Sequence, residues 1–141
     1  MTVALAFLAA CANDATSPSA LFRNGADDPI PQNRAGTTKT VVQIVLTAAP
    51  SFPGAKGKAK FTVNGDQREL ETRVEEVLRL AGMQVTLWLG GASLGSATVD
   101  ATGRAGIALN TRLGDGVPGS VAGQAMEIRL ADGTLIVSGS F

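Results

Sequence analysis

The stretch Lys58-Ala59-Lys60-Phe61-Thr62-Val63-Asn64-Gly65 decides the fold. Polar residues at 58, 60 and 62 alternate with apolar residues at 59, 61 and 63. That two-residue period belongs to a strand with one buried face. Asn-Gly directly after it is a strong reversal signal, because both residues tolerate positive φ. Working backward, Lys56, Lys58 and Lys60 share one face of this strand, with Gly57, Ala59 and Phe61 on the other. Pro50 and Pro53 interrupt the chain, and before them residues 40–47 (TVVQIVLT) form a β-branched run. Working forward, further strands are predicted over 68–77, 83–89, 94–99, 104–110, 125–130 and 134–141. Gly90-Gly91, Asp100-Ala101-Thr102-Gly103 and Asp132-Gly133 supply reversals between them. The expectation is an all-β fold, a small antiparallel sandwich or barrel of about eight strands.

Residues 68–80 carry two patterns. Leu70, Val74, Val77 and Leu78 make a helical stripe, whereas Leu70, Thr72 and Val74 alternate. The preceding turn favours a strand ending near Val77; a short helix near 70–80 would instead cap an open end of the fold.

Composition removes several functions. The chain of 141 residues has no His, one Cys and equal numbers of acidic and basic residues. Without His there is no Ser-His-Asp or Cys-His arrangement, and one Cys allows neither an internal disulfide nor a thiolate zinc site. Neutral overall charge offers no field that would draw in nucleic acid. Neither an enzyme nor a cofactor is expected. Asp66, Asp100, Asp115 and Asp132 fall at turns, where Asp is favoured for its own hydrogen bonds, so no metal site is expected from them.

The N-terminus has a different texture. Residues 3–10 (VALAFLAA) are an unbroken apolar run, too short to span a bilayer and suited to the core of a signal peptide. The run ends in Leu8-Ala9-Ala10-Cys11, which resembles the bacterial lipobox, although no Lys or Arg precedes it. The resemblance implies cleavage before Cys11 and lipidation of its thiol, with enough acyl chain for stable anchoring in a membrane. Ala12 rather than Asp follows Cys11, which in the enterobacterial sorting rule favours the outer membrane. Residues 12–38 are rich in Ala, Ser, Thr, Asn, Asp, Gly and Pro and have no period. The organisation expected is a signal segment over 1–10, a disordered tether over 11–38 and an all-β domain over 39–141. Within the tether, Leu21-Phe22 is a patch that could dock on the domain, and Asp27-Asp28 is read as solvated.

A second resemblance covers about half the chain. Arg68-Glu69-Leu70-Glu71, residues 85–91, Gly95-Ser96-Ala97-Thr98-Val99-Asp100, Asp115-Gly116-Val117-Pro118 and Ala131-Asp132-Gly133-Thr134 resemble a small domain of uncharacterised secreted bacterial proteins. It implies no assigned activity.

Two features suggest binding. Lys56, Lys58 and Lys60 form a basic strip suited to an anionic glycan or lipid, or else guard an edge strand against pairing. Trp88 points away from Val85, Leu87 and Leu89, so it is expected at or near the surface, where a Trp commonly anchors sugars or protein partners. The functional expectation is a non-enzymatic, lipid-anchored envelope protein whose β domain binds an envelope protein or glycan or serves a structural role. The alternative is a subunit of a surface assembly joined through strand edges; residues 40–47, left unpaired, would favour it. Phe141 is expected to plug the core of the domain.

Overall fold

In the computed structural model, which describes residues 38–141, the chain forms one sheet of eight antiparallel strands wrapped into a nearly closed barrel. The strands are β1 (Lys39–Ala48), β2 (Lys56–Asn64), β3 (Gln67–Glu75), β4 (Gln84–Leu89), β5 (Ala92–Thr98), β6 (Ala105–Asn110), β7 (Ala125–Leu130) and β8 (Leu135–Ser140). Their spatial order is β5-β4-β7-β8-β1-β2-β3-β6. The signal segment, Cys11, the Leu21-Phe22 patch and the Asp27-Asp28 pair lie outside the described residues.

Three hairpins follow from local turn chemistry. Between β2 and β3, Asn64 pairs with Gln67, so the central turn residues are Gly65 and Asp66, with Gly65 at φ 59°. Between β4 and β5, Gly90 and Gly91 sit at φ 56° and 84°, the two positive values that a type I′ turn requires. β7 and β8 are joined through Asp132-Gly133, whose aspartate oxygen accepts the Thr134 N–H at 2.8 Å. The segment 68–80 is a strand: Leu70, Thr72 and Val74 all face inward, and only a single 3-10 turn, Leu78–Leu80, follows. The helical stripe lost because pairing with both β2 and β6 satisfies the backbone of β3 along its length.

β1 is the corner of the barrel. Residues 39–46 pair with β2, and its last two residues, Thr47 and Ala48, pair with Ser138 and Val137 of β8. The opposite side closes without a ladder. β5 and β6 lie beside each other there, and Gly95 rests against the side chains of Ile107 and Leu109.

Apolar residues fill the inside. Leu70, Val74, Val85, Leu87, Met126, Ile136 and Val137 are essentially inaccessible, and the partly buried Phe141 packs against the same core. One polar group breaks this pattern. Thr72 is 4% exposed and its hydroxyl has no hydrogen-bond partner among the described residues. An unmade buried hydrogen bond carries a desolvation cost, and valine has the same shape without it. Thr72→Val is therefore expected to stabilise the barrel by about 1 kcal/mol, read as a higher urea midpoint at unchanged m value.

Candidate functional site

The outer face of β1, β2, β3 and β6 gathers the charged side chains. Alternation puts Lys56, Lys58 and Lys60 of β2 outward, and the pairing register decides what each meets. Lys60 faces Glu71 and forms an ion pair with it, and Lys56 reaches Glu76. Each carboxylate, by hydrogen bond and then by charge, raises the pKa of its lysine. Lys58 is different. Its cross-strand partner is Arg73, so two cations stand directly opposite each other. Like charges in that position destabilise a sheet. Among the described residues Lys58 has no ion-pair partner, while Arg73 lies 3.9 Å from Glu75, which Arg104 also approaches at 4.0 Å.

The guard-strand reading of the three lysines is corrected by this arrangement. β2 is hydrogen-bonded on both sides, to β1 and to β3, so it is not an edge and needs no such protection. Two of its lysines are matched by carboxylates and the third is left facing an arginine.

The neighbours shape a depression around that pair. Next to Arg73 on β6 is Gly106, and next to Glu71 is Ala108; these small residues form a low floor. Longer side chains of Gln43, Lys58, Lys60, Glu71 and Arg73 rise around it, enclosing an open hollow of about 350 Å³. Its chemistry suits an anion. Arg73 offers a planar fork that can grip two oxygens, Lys58 a compact charge, and Gln43 an uncharged donor for a hydroxyl. An arriving carboxylate, sulfate or phosphate would relieve the repulsion between the two cations.

Trp88 lies on a separate face. Val85, Leu87 and Leu89 are buried as anticipated, and Trp88 is half-buried on the outside of β4. It stands opposite Glu127, which holds Arg129 at 2.8 Å, and near Thr86, whose hydroxyl lies 3.1 Å from that of Ser96. Along the hydrogen-bonded sheet, β7, β8 and β1 lie between β4 and β2, and on the other side β5 lies between β4 and β6.

The turn aspartates have local partners. Asp100 accepts hydrogen bonds from the Thr102 hydroxyl and from the Thr102 and Arg104 N–H groups at 2.7–3.0 Å. The Thr102 hydroxyl first, then the Arg104 amide, hold its pKa below the ordinary value. Asp115 accepts from the Asn110 N–H at 2.8 Å. No group of three or more metal-ligating side chains occurs among the described residues. Of the residues around the hollow, the alternation of lysines reveals only Lys58 and Lys60; Arg73 and Gly106 are among those it does not. Counting pairs outward from the Gly65-Asp66 turn finds Arg73 opposite Lys58. Comparison with known proteins adds no relative to this picture: no protein-family model, curated protein or solved structure matches the chain.

Proposed function

We propose that this chain is a lipid-anchored protein of the bacterial cell envelope whose β-barrel binds an acidic glycan in the Lys58–Arg73 hollow. The observation that carries the binding half is the like-charge pair: Lys58, which has no ion-pair partner among the described residues, opposite Arg73, over a floor of Gly106 and Ala108. A purely structural face would gain by placing a carboxylate at one of these positions, as it does at Lys60 and Glu71. The anchoring half rests on Leu8-Ala9-Ala10-Cys11. The outer membrane is the favoured address because Ala12 follows the cysteine. A non-enzymatic role is supported by the absence of His and by the turn and ion-pair duties of Asp100, Asp115, Glu71 and Glu76.

Two measurements test it. Growth with labelled palmitate should mark the wild type and not Cys11→Ser; equal labelling of both, or of neither, overturns the anchor. Titration of the full chain with oligogalacturonate should show salt-dependent binding that Lys58→Gln/Arg73→Gln weakens at least about tenfold. Lys56→Gln should change it little, since Lys56 is already matched by Glu76. Lys58→Gln alone should leave the thermal midpoint equal or slightly raised, because a like-charge contact is removed. Binding that survives the double substitution, or binding to anionic phosphatidylglycerol vesicles but not to the glycan, would sink the reading.

A further inference from the structure

The outer face of β2, β3 and β6 carries a second cationic hollow beyond the one at Lys58. Its place follows from the register. Lys58, Arg73 and Gly106 share one outward row, Lys60, Glu71 and Ala108 the next, and Thr62, Glu69 and Asn110 the third. In the fourth row Asn64 faces Lys39 of β1. Arg112 lies two residues beyond Asn110, in the 3-10 turn Thr111–Leu113. There Lys39, Arg68 and Arg112 line an open hollow of about 160 Å³, together with Thr62, Asn64 and Asn110. Glu69 is the one carboxylate in its lining, against three cations. Among the described residues none of the three cations has an ion-pair partner, and the buried Nε of Arg68 has no hydrogen-bond partner. The turn that carries Arg112 is tied down. Its Thr111 hydroxyl accepts the Arg68 N–H at 3.0 Å, and the Asn110 side chain accepts the Arg112 N–H at 2.9 Å.

We propose that the two hollows are the ends of one binding track, and that the acidic glycan is held on it as an extended chain of several sugars. This rests on the reading of the Lys58–Arg73 hollow as a glycan site. Lys58 and Asn64 are separated by six steps along β2, so the two cation clusters stand about 20 Å apart along the strand. A disaccharide is shorter than that span, and a chain several times longer bridges it. The ground between the clusters differs from its ends. Lys60 is matched there by Glu71, and the remaining groups are Gln43, Thr62, Glu69, Ala108 and Asn110. Amide, hydroxyl and carboxylate groups suit sugar hydroxyls, whereas the unmatched cations at the two ends suit acid groups. Separate small anions would fill the ends and leave this middle unused. A linear acidic chain uses all of it, with its middle carboxylates turned to solvent. Once one end is seated the other binds intramolecularly, so chain length adds affinity.

Calorimetric titration of the full chain with digalacturonate and octagalacturonate at one low salt concentration tests this. The parent should bind the octasaccharide at least about a hundredfold more tightly than the disaccharide. Lys39→Gln/Arg112→Gln should weaken the octasaccharide at least about tenfold and change the disaccharide by less than about twofold, because the Lys58–Arg73 hollow is left whole. Unchanged disaccharide binding also shows that this variant is folded. Lys56→Gln/Arg79→Gln removes as much charge from outside both hollows and should leave the octasaccharide within about twofold of the parent. Equal weakening by these two double variants would mean a general field and overturns the track. An octasaccharide weakened by Lys58→Gln/Arg73→Gln but not by Lys39→Gln/Arg112→Gln also overturns it, and leaves the single hollow standing without its extension. Binding of neither oligomer overturns the hollow and the track together.

Discussion

Gly103→Ala is expected to lower the melting temperature by roughly 20 °C, a loss of about 3–4 kcal/mol. Two penalties add at this position. Gly103 sits at φ 76°, where a Cβ costs about 1–2 kcal/mol. That Cβ would also lie 2.4 Å from the backbone nitrogen of Leu78 and 2.6 Å from its Cα, so backbone, not a side-chain tip, has to move. The contact is structural. Gly103 accepts the Val77 N–H at 3.1 Å, which docks the β5–β6 turn on the 3-10 turn Leu78–Leu80. Leu80, Val77 and Val99 are buried beneath this junction. β5 and β6 have no ladder of their own, so this junction joins the packing of Gly95 on Ile107 and Leu109 in closing that side of the barrel. Gly133→Ala separates the two penalties: φ is 89° there and nothing lies within 4 Å. It should cost only about 1–2 kcal/mol by the same backbone term. Equal losses for the two alanines in thermal melts would show that the Leu78 contact is unimportant.

Much of the architecture is legible in the residues because burial and turn chemistry agree. The alternation in β2, the paired glycines at 90 and 91, and Asp132-Gly133 each fix a strand or a reversal without outside help. The functional face is harder to read, and the reason is register. Asn64-Gly65 marks the reversal, yet the central residues are Gly65 and Asp66, one position later. A hairpin turning on Asn64-Gly65 would set Lys58 against Glu71 and read as an ordinary ion pair. The shift of one turn residue moves the partner by two, keeps every face unchanged, and sets Lys58 against Arg73 instead. The corner is illegible for a related reason. Nothing local to residues 40–47 says that the strand leaves β8 after two pairs, since that depends on where Val137 and Ser138 arrive from the far end of the chain. The helical stripe over 70–78 misleads because periodicity cannot tell which backbone will find partners on both sides.

Gly57→Ala is expected to destabilise the barrel by about 2–3 kcal/mol, although alanine normally strengthens a strand interior. Gly57 faces inward on β2, opposite Leu46 of β1 and Val74 of β3. An added Cβ would stand 2.8 Å from the Leu46 Cβ and 3.0 Å from Val137 Cγ2. The first of these is the root of a buried side chain and cannot swing away. Gly139 repeats the arrangement from β8, where a Cβ would meet Leu46 Cδ2 at 2.9 Å and the Val45 carbonyl at 3.2 Å. Leu46 therefore fills the corner from between two glycines, and their missing side chains let β8 approach β1 closely enough for Thr47 and Ala48 to pair. Gly106→Ala is the matched comparison: its nearest neighbour would be the Thr72 carbonyl at 3.7 Å, an ordinary contact. There alanine should gain about 0.5–1 kcal/mol. The two substitutions should thus shift the urea midpoint in opposite directions. Leu46→Ala on its own leaves a cavity and costs about 2–5 kcal/mol, yet it keeps the Cβ that stands 2.8 Å away and removes only the 3.1 Å contact with Cδ1. The double variant should therefore recover little of the Gly57→Ala loss, less than about 1 kcal/mol. A recovery larger than that would place the limiting contact at the Leu46 Cδ1 instead of its Cβ.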